Sequence, residues 1–156
     1  MPKQKKIKRR QLDLILKKLL NHNDVFADIV NAVLFRGEEV VKPEDLRNVQ
    51  TTSMYKGEGK LNSMDRDIAK YWMKGNMTLC FLGAENQTRI DPDMVFRNIG
   101  YDGTAYRDQM NQGKERYPVI TFVVYYGDKP WNKPLTLYET LGNIPEGLKR
   151  YVNDYR

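Results

Sequence analysis

The sequence has one cysteine, Cys80, in 156 residues, so no internal disulfide can staple it. Cys80 sits within an apolar run and reads as a small core residue rather than a reactive thiol. Histidine is equally scarce. His22 stands alone before an amphipathic stretch and reads as a helix-entry residue rather than a catalytic base. No apolar run approaches the roughly 20 residues that span a bilayer, which sets aside a transmembrane helix. A secretion signal is not recognisable, because basic residues lead directly into an amphipathic helix, and a reducing cytoplasm is the expected compartment. Internal repeats are missing too, as is any helix-turn-helix or zinc-finger pattern that would read bases.

Acid is absent from the first ten residues, where Lys3, Lys5, Lys6, Lys8, Arg9 and Arg10 supply six positive charges. Taking these from the 26 basic residues leaves 20, equal to the 20 acids, so residues 11–156 are neutral as a set. The basic excess is therefore a local arm. It reads either as a solvated leader or as an electrostatic contact for nucleic-acid phosphates, which needs no sequence information. Residues 1–20 are accordingly separated as a basic arm and first helix, and 21–156 are expected to form a single domain.

The apolar spacing of Leu12, Ile15, Leu16, Leu19 and Leu20 predicts a helix over 11–20. A second follows from Asp24, with Asn23 as its cap, and stops at Gly37. Residues 38–62 read as an irregular connection with short strands around 40–41 and 49–55. Two β-favouring runs flank Lys74-Gly75-Asn76 and predict a hairpin. The stretch 93–112 reads as a helix despite Gly100 and Gly103, which cost about 1 kcal/mol each against alanine. "YPVITFVVYYG" (117–127) is a long β-branched strand buried on both faces. "LTLYETL" predicts a short helix. A helix between two strands permits a parallel crossover, so the fold class is α/β or α+β with a mixed sheet.

The segment "TLCFLGAENQTRI" (78–90) runs from apolar residues into a carboxylate and two amides. A strand ending this way can deliver polar groups to a fixed place. Alternation puts Glu85 and Gln87 on one face. With a turn at 74–76, Asp67 on the preceding strand comes near Gly83, and Glu85 lies just beyond. Two converging carboxylates need a positive partner. Mg²⁺ meets that need with one or two carboxylates plus waters and phosphate oxygens. Gln87 could orient a metal-bound water. The alternative is that Asp67 and Glu85 form ion pairs with Arg66, Lys70 or Arg97.

The blocks "HNDVFADIVNAVLFRGEEVVKPEDL", "RDIAKYW", "LGAENQTRIDPDMVFRNIGYDGTAYRDQ" and "RYPVITFVVYYGDKPWNKPLTLYE" follow in this order. Their succession resembles the Rpn/YhgA-like family of recombination-promoting nucleases, also labelled transposases, over residues 20–156. That family belongs to the PD-(D/E)xK nuclease superfamily. The resemblance implies a restriction-endonuclease-like core, a mixed central sheet flanked by helices, here expected to lack a C-terminal strand. It matches Asp67 and Glu85 to the catalytic acids and puts Gln87 in the lysine position. Asp67, Glu85 and Asn86 form the expected metal set for Mg²⁺ or Mn²⁺. Glutamine carries no charge and cannot replace an ammonium at a developing phosphorane.

The first domain helix, with Asp24 and Asp28, corresponds to the element that sometimes adds an acid; a capping or exposed role competes with this. Arg97 is expected to touch a phosphate or to pair with Asp67 or Asp102. Tyr101, Tyr106 and Gln109 resemble residues bordering the site in related nucleases, Tyr101 also fitting the core. Trp131 is expected to pack over the sheet. The implied activity is metal-dependent hydrolysis of DNA phosphodiesters, tied to recombination or mobile elements. The alternative is an inactive nuclease-fold domain that binds DNA or a partner protein. DNA is the expected partner, no membrane is expected, and a homodimer is an allowed assembly.

Overall fold

The computed structural model describes the backbone of residues 2–49, 52–57, 60–113 and 115–156, and side chains over 7–8, 10–49, 66–113 and 115–156. Helix α1 (Pro2–Asn21) leads into α2 (Asn23–Leu34). His22 is the N-cap residue of α2. Arg36 and Gly37, both at positive φ, take the chain out of that helix. A 3₁₀ turn (Pro43–Asp45) precedes a short strand, β1 (Leu46–Asn48). A separate antiparallel hairpin follows, β2 (Thr52–Gly57) with β3 (Lys60–Asp65). Then come β4 (Ile68–Lys74), β5 (Met77–Gln87), α3 (Met94–Gln112), β6 (Val119–Tyr125), α4 (Leu137–Leu141) and α5 (Glu146–Lys149).

The main sheet has the order β1-β4-β5-β6, with β4–β5 antiparallel and β5–β6 parallel through the α3 crossover. It is a mixed sheet flanked by helices, the α+β architecture expected. Among the described residues no strand follows β6. The expected strand at 40–41 is not formed. Val41 is buried there, its amide and carbonyl held by the Asn31 side chain at 2.8 and 2.9 Å. Positions 50–51, within the expected strand at 49–55, lie outside the described residues.

Apolar side chains alternate to the two faces of the sheet. Cys80, Leu82 and Ala84 join Ile68, Phe122, Phe26 and Val30 on the α2 side. Phe81, Ala69 and Val119 join Ala105 on the α3 side. Thus β5 is covered on both faces and flanked on both edges, the right environment for a strand that must hold side chains still. Burial pushes the Cys80 thiol up to about 11, with the Asp102 charge adding to it, so it stays protonated and unreactive.

Arg66, only 3% exposed, fills the α3 side between the rings of Phe81 and Tyr101 and donates to the Tyr101 carbonyl. The site of its passage is Gly83. A Cβ there would stand 2.7 Å from Arg66 Cδ and 3.2 Å from Thr121 Oγ1. Gly83→Ala is therefore expected to destabilise the protein by about 1–3 kcal/mol through overpacking, read as a lower urea midpoint. An unchanged midpoint would show that Arg66 can move aside freely.

Candidate active site

The β4–β5 hairpin decides whether two acids meet. A turn over 74–76 would set Asp67 opposite Gly83. Instead Lys74 pairs with Met77, so the turn is the two residues Gly75-Asn76, with Gly75 at φ 60°. That change alone would put Asp67 opposite Ala84, on the wrong face. A register shift between Trp72 and Met73 adds a second residue, and beyond it Ile68 pairs with Ala84. Continued one step further out, that register brings Asp67, in the bend before β4, level with Glu85. Two single-residue shifts thus restore the face that either alone would have lost.

The environment of each acid is different. Glu85 is 6% exposed. Its Oε1 accepts from Arg97 Nη2 at 2.5 Å and from the Tyr101 hydroxyl at 3.2 Å, while its Oε2 is buried with no hydrogen-bond partner. Arg97 also donates to Asp91 Oδ2 at 2.8 Å, so it clamps Glu85 to the loop before α3. Asp67 is more open. Its Oδ2 accepts from the Asn86 amide at 2.7 Å, and its Oδ1 meets the Lys17 ammonium of α1 at 2.6 Å. Lys17 also lies 3.4 Å from Asp13, one turn back.

Burial raises the Glu85 pKa, and the nearby Asp67 charge raises it further; Arg97 and the Tyr101 hydroxyl pull the other way without prevailing. The folded state therefore disfavours the ionised form. Stability falls as pH rises from the ordinary carboxylate range through the raised value, and the cost persists at neutral pH. Glu85→Gln keeps an acceptor for Arg97 and removes the charge. It is expected to raise stability at pH 7 and to remove this pH-dependent loss. Thermal melts in EDTA would check this; a lower Tm would contradict it.

Of the other expected site residues, Gln87 shares the Glu85 face of β5 by alternation and turns toward α3, with Nε2 3.5 Å from Asp91 Oδ2 and 3.7 Å from Met94 Sδ. Asn86 contributes its backbone amide to Asp67. Its carboxamide is buried without a partner and, by strand alternation, leaves the sheet on the face opposite Glu85. Arg97 and Tyr101 touch Glu85 directly. Gln109 does not join them: it brackets Tyr117 near the far end of α3, donating to its carbonyl at 3.0 Å and accepting from its amide at 3.1 Å. The Tyr106 hydroxyl accepts from Val119 N. Asp24 and Asp28 are exposed on α2. Trp131 packs its edge against Tyr125 at the end of β6. The proposed partners Arg66 and Lys70 are occupied elsewhere, Arg66 near Thr121 and Lys70 among asparagines.

Lys8 and Arg10 are exposed on α1, whereas the side chains of Lys3, Lys5, Lys6 and Arg9 lie outside the described residues. Sequence reasoning missed Lys17, Asp13 and Asp91. Asp91 had a local signal, since Asp91-Pro92 precedes a helix whose first turns carry Arg97. Lys17 is adjacent to Leu16 on the face that turns toward the domain, but only the fold shows which acid it meets.

Among the described residues no group of three or more His, Cys, Asp or Glu could hold a metal. Asp67 and Glu85 lie near enough for the charge of one to act on the other, and Glu85 Oε2 is a buried acceptor without a hydrogen-bond partner. That donor set fits Mg²⁺, which takes few protein carboxylates and keeps its waters. No described helix is long and apolar enough to cross a membrane. No match was found among curated proteins or solved structures. The family model described as "Putative transposase, YhgA-like" matches residues 10–156, nearly the whole chain, and the chain belongs to that family.

Proposed function

We propose that this chain is a metal-dependent endodeoxyribonuclease of the PD-(D/E)xK type, acting in the cytoplasm on DNA phosphodiester bonds during recombination or transposition. The carrying observation is that Asp67, bonded to the Asn86 amide, lies within electrostatic reach of Glu85, whose Oε2 is buried without a hydrogen-bond partner. Membership in a transposase family adds the link to mobile elements.

Asp67 and Glu85 would hold Mg²⁺, or Mn²⁺ in its place. Such an ion would supply polarisation of the phosphoryl group and a bound water of lowered pKa. The chain's own residues do the rest. Arg97 and Tyr101 fix the Glu85 carboxylate through Oε1, and Oε2 would be the oxygen it offers to an ion. Gln87, anchored near Asp91, offers an amide to orient the attacking water. The basic turns of α1 would hold the phosphate backbone without reading bases.

Incubation with supercoiled plasmid tests the proposal. Nicked circles are expected with Mg²⁺ and not with EDTA. A second reading, an inactive nuclease-fold domain that binds DNA or a partner protein, draws on the ion pairs that already neutralise both acids, Lys17 with Asp67 and Arg97 with Glu85. It predicts retention of DNA with no nicking at any Mg²⁺ concentration.

A further inference from the structure

The candidate site needs a cation that can face a phosphate, and Gln87 cannot provide one. The neighbouring cations differ in their freedom. Arg66 and Lys70 are buried and engaged with the Tyr101 carbonyl and with three oxygens respectively. Arg97 is held by two carboxylates, Glu85 and Asp91, at 2.5 and 2.8 Å, and by the Tyr101 hydroxyl at 2.9 Å. Neutralising Glu85 would still leave it anchored on Asp91.

Lys17 is different. Its close contact is Asp67 at 2.6 Å, its second partner Asp13 is 3.4 Å away, and its side chain is 37% exposed. A divalent cation on Asp67 would repel an ammonium in contact with the same carboxylate. The released side chain would remain tethered by α1 beside the site.

We infer that Lys17, delivered from α1, is the phosphate-facing ammonium of this site: it occupies Asp67 in the metal-free protein, yields that place to the divalent cation, and then faces the phosphate oxygens. This role rests on the nuclease reading above. It adds a catalytic residue on an element outside the strand motif.

Lys17→Met and Lys17→Arg test it in the full chain, with Mn²⁺ affinity followed by electron paramagnetic resonance and plasmid nicking measured at saturating Mn²⁺. Lys17 is partly exposed, so both variants are expected to keep the wild-type circular dichroism. Lys17→Met should bind Mn²⁺ about tenfold more tightly, a change of about 1.4 kcal/mol, because a competing charge is gone. It should nonetheless nick about 10²-fold more slowly, the loss expected for one donor to a developing oxyanion. Lys17→Arg should retain most of the wild-type rate.

Mn²⁺ affinity unchanged or weakened in Lys17→Met would overturn the inference. So would tighter binding with nicking as fast as wild type, which would reduce Lys17 to a plug. If the wild-type chain binds Mn²⁺ through Asp67 yet never nicks DNA, the nuclease reading itself falls and takes this role with it. That outcome differs from a failure confined to Lys17, where wild-type nicking persists.

Discussion

Asp67→Ala is expected to lower Mg²⁺-dependent nicking by about 10²- to 10³-fold, and Glu85→Ala to do the same. A bound cation is worth several kcal/mol of transition-state charge stabilisation, and each 1.36 kcal/mol is a factor of ten in rate. Either substitution halves a two-carboxylate site. The losses should come from chemistry rather than from DNA retention, because in the proposed function the basic turns of α1 would supply the phosphate contact independently. Gel-shift affinity at low salt should therefore stay near wild type while plasmid nicking disappears.

Glu85→Gln makes the comparison sharper. It preserves an acceptor for Arg97 at Oε1, loses the charge, and is expected to gain stability as it loses activity. A variant that is more stable and inactive would place Glu85 among residues kept for chemistry at the expense of the fold. If Asp67→Ala nicks at the wild-type rate, the acids are merely structural ion-pair partners of Lys17 and Arg97.

The second large effect concerns stability. Lys70→Ala is expected to cost about 3–5 kcal/mol, from the cavity left by a fully buried long side chain and from the buried oxygens left without a donor. Lys70 is fully buried. Its ammonium donates to the Asn21 carbonyl and Asn23 Oδ1, both at 2.8 Å, and to Asn48 Oδ1 at 2.6 Å, while lying over the Phe26 ring. Three protons thus meet three oxygens. The Asn21 carbonyl belongs to the C-terminal end of α1, where the helix dipole favours a cation.

Burial lowers the Lys70 pKa, so its charge is held against a desolvation penalty. The oxygens offset that penalty only while all three are in place. The knot joins α1, α2, β1 and β4, and therefore positions the helix that brings Lys17 to Asp67. Lys70→Met fills much of the same volume without donors and should cost about 1–3 kcal/mol for oxygens left unpaired. Urea denaturation would measure both. A Lys70→Met protein as stable as wild type would show that the cluster contributes position rather than net stability.

Much of this architecture was legible in residue order. The 3.6-residue spacing of Leu12, Ile15, Leu16, Leu19 and Leu20 marks α1, and it extends to Pro2, further than the apolar residues alone suggest. The helix over 93–112 survives Gly100 and Gly103 because Tyr101 and Ala105 bury one face. The parallel β5–β6 pairing follows from the helix between them. Register was not legible. A turn one residue shorter than expected and a bulge near Leu79 leave no strong mark in composition, yet together they move Asp67 from Gly83 to Glu85.

Long-range polar contacts were equally hidden. Arg97 has the Glu85 partner that the ion-pair alternative allowed, but its second partner, Asp91, was not foreseen, and it pairs with neither Asp67 nor Asp102. Asp102 instead accepts from Thr121 Oγ1 at 2.6 Å, with the Arg66 charge nearby. Gln109 was placed beside the site by resemblance, but seven residues of α3 carry it past Asp102 to Tyr117. Treating residues 1–20 as an arm concealed Lys17, because a charge on an amphipathic helix gives no sign of the strand it will face.

The central claim is that the Asp67 and Glu85 carboxylates together hold one divalent cation. Anomalous diffraction from crystals soaked in Mn²⁺ tests it most directly. A single peak shared by an Asp67 oxygen and Glu85 Oε2 at coordination distance, with Lys17 displaced, is the predicted result. Crystals saturated with Mn²⁺ in which both ion pairs persist and no density lies between the acids would contradict it.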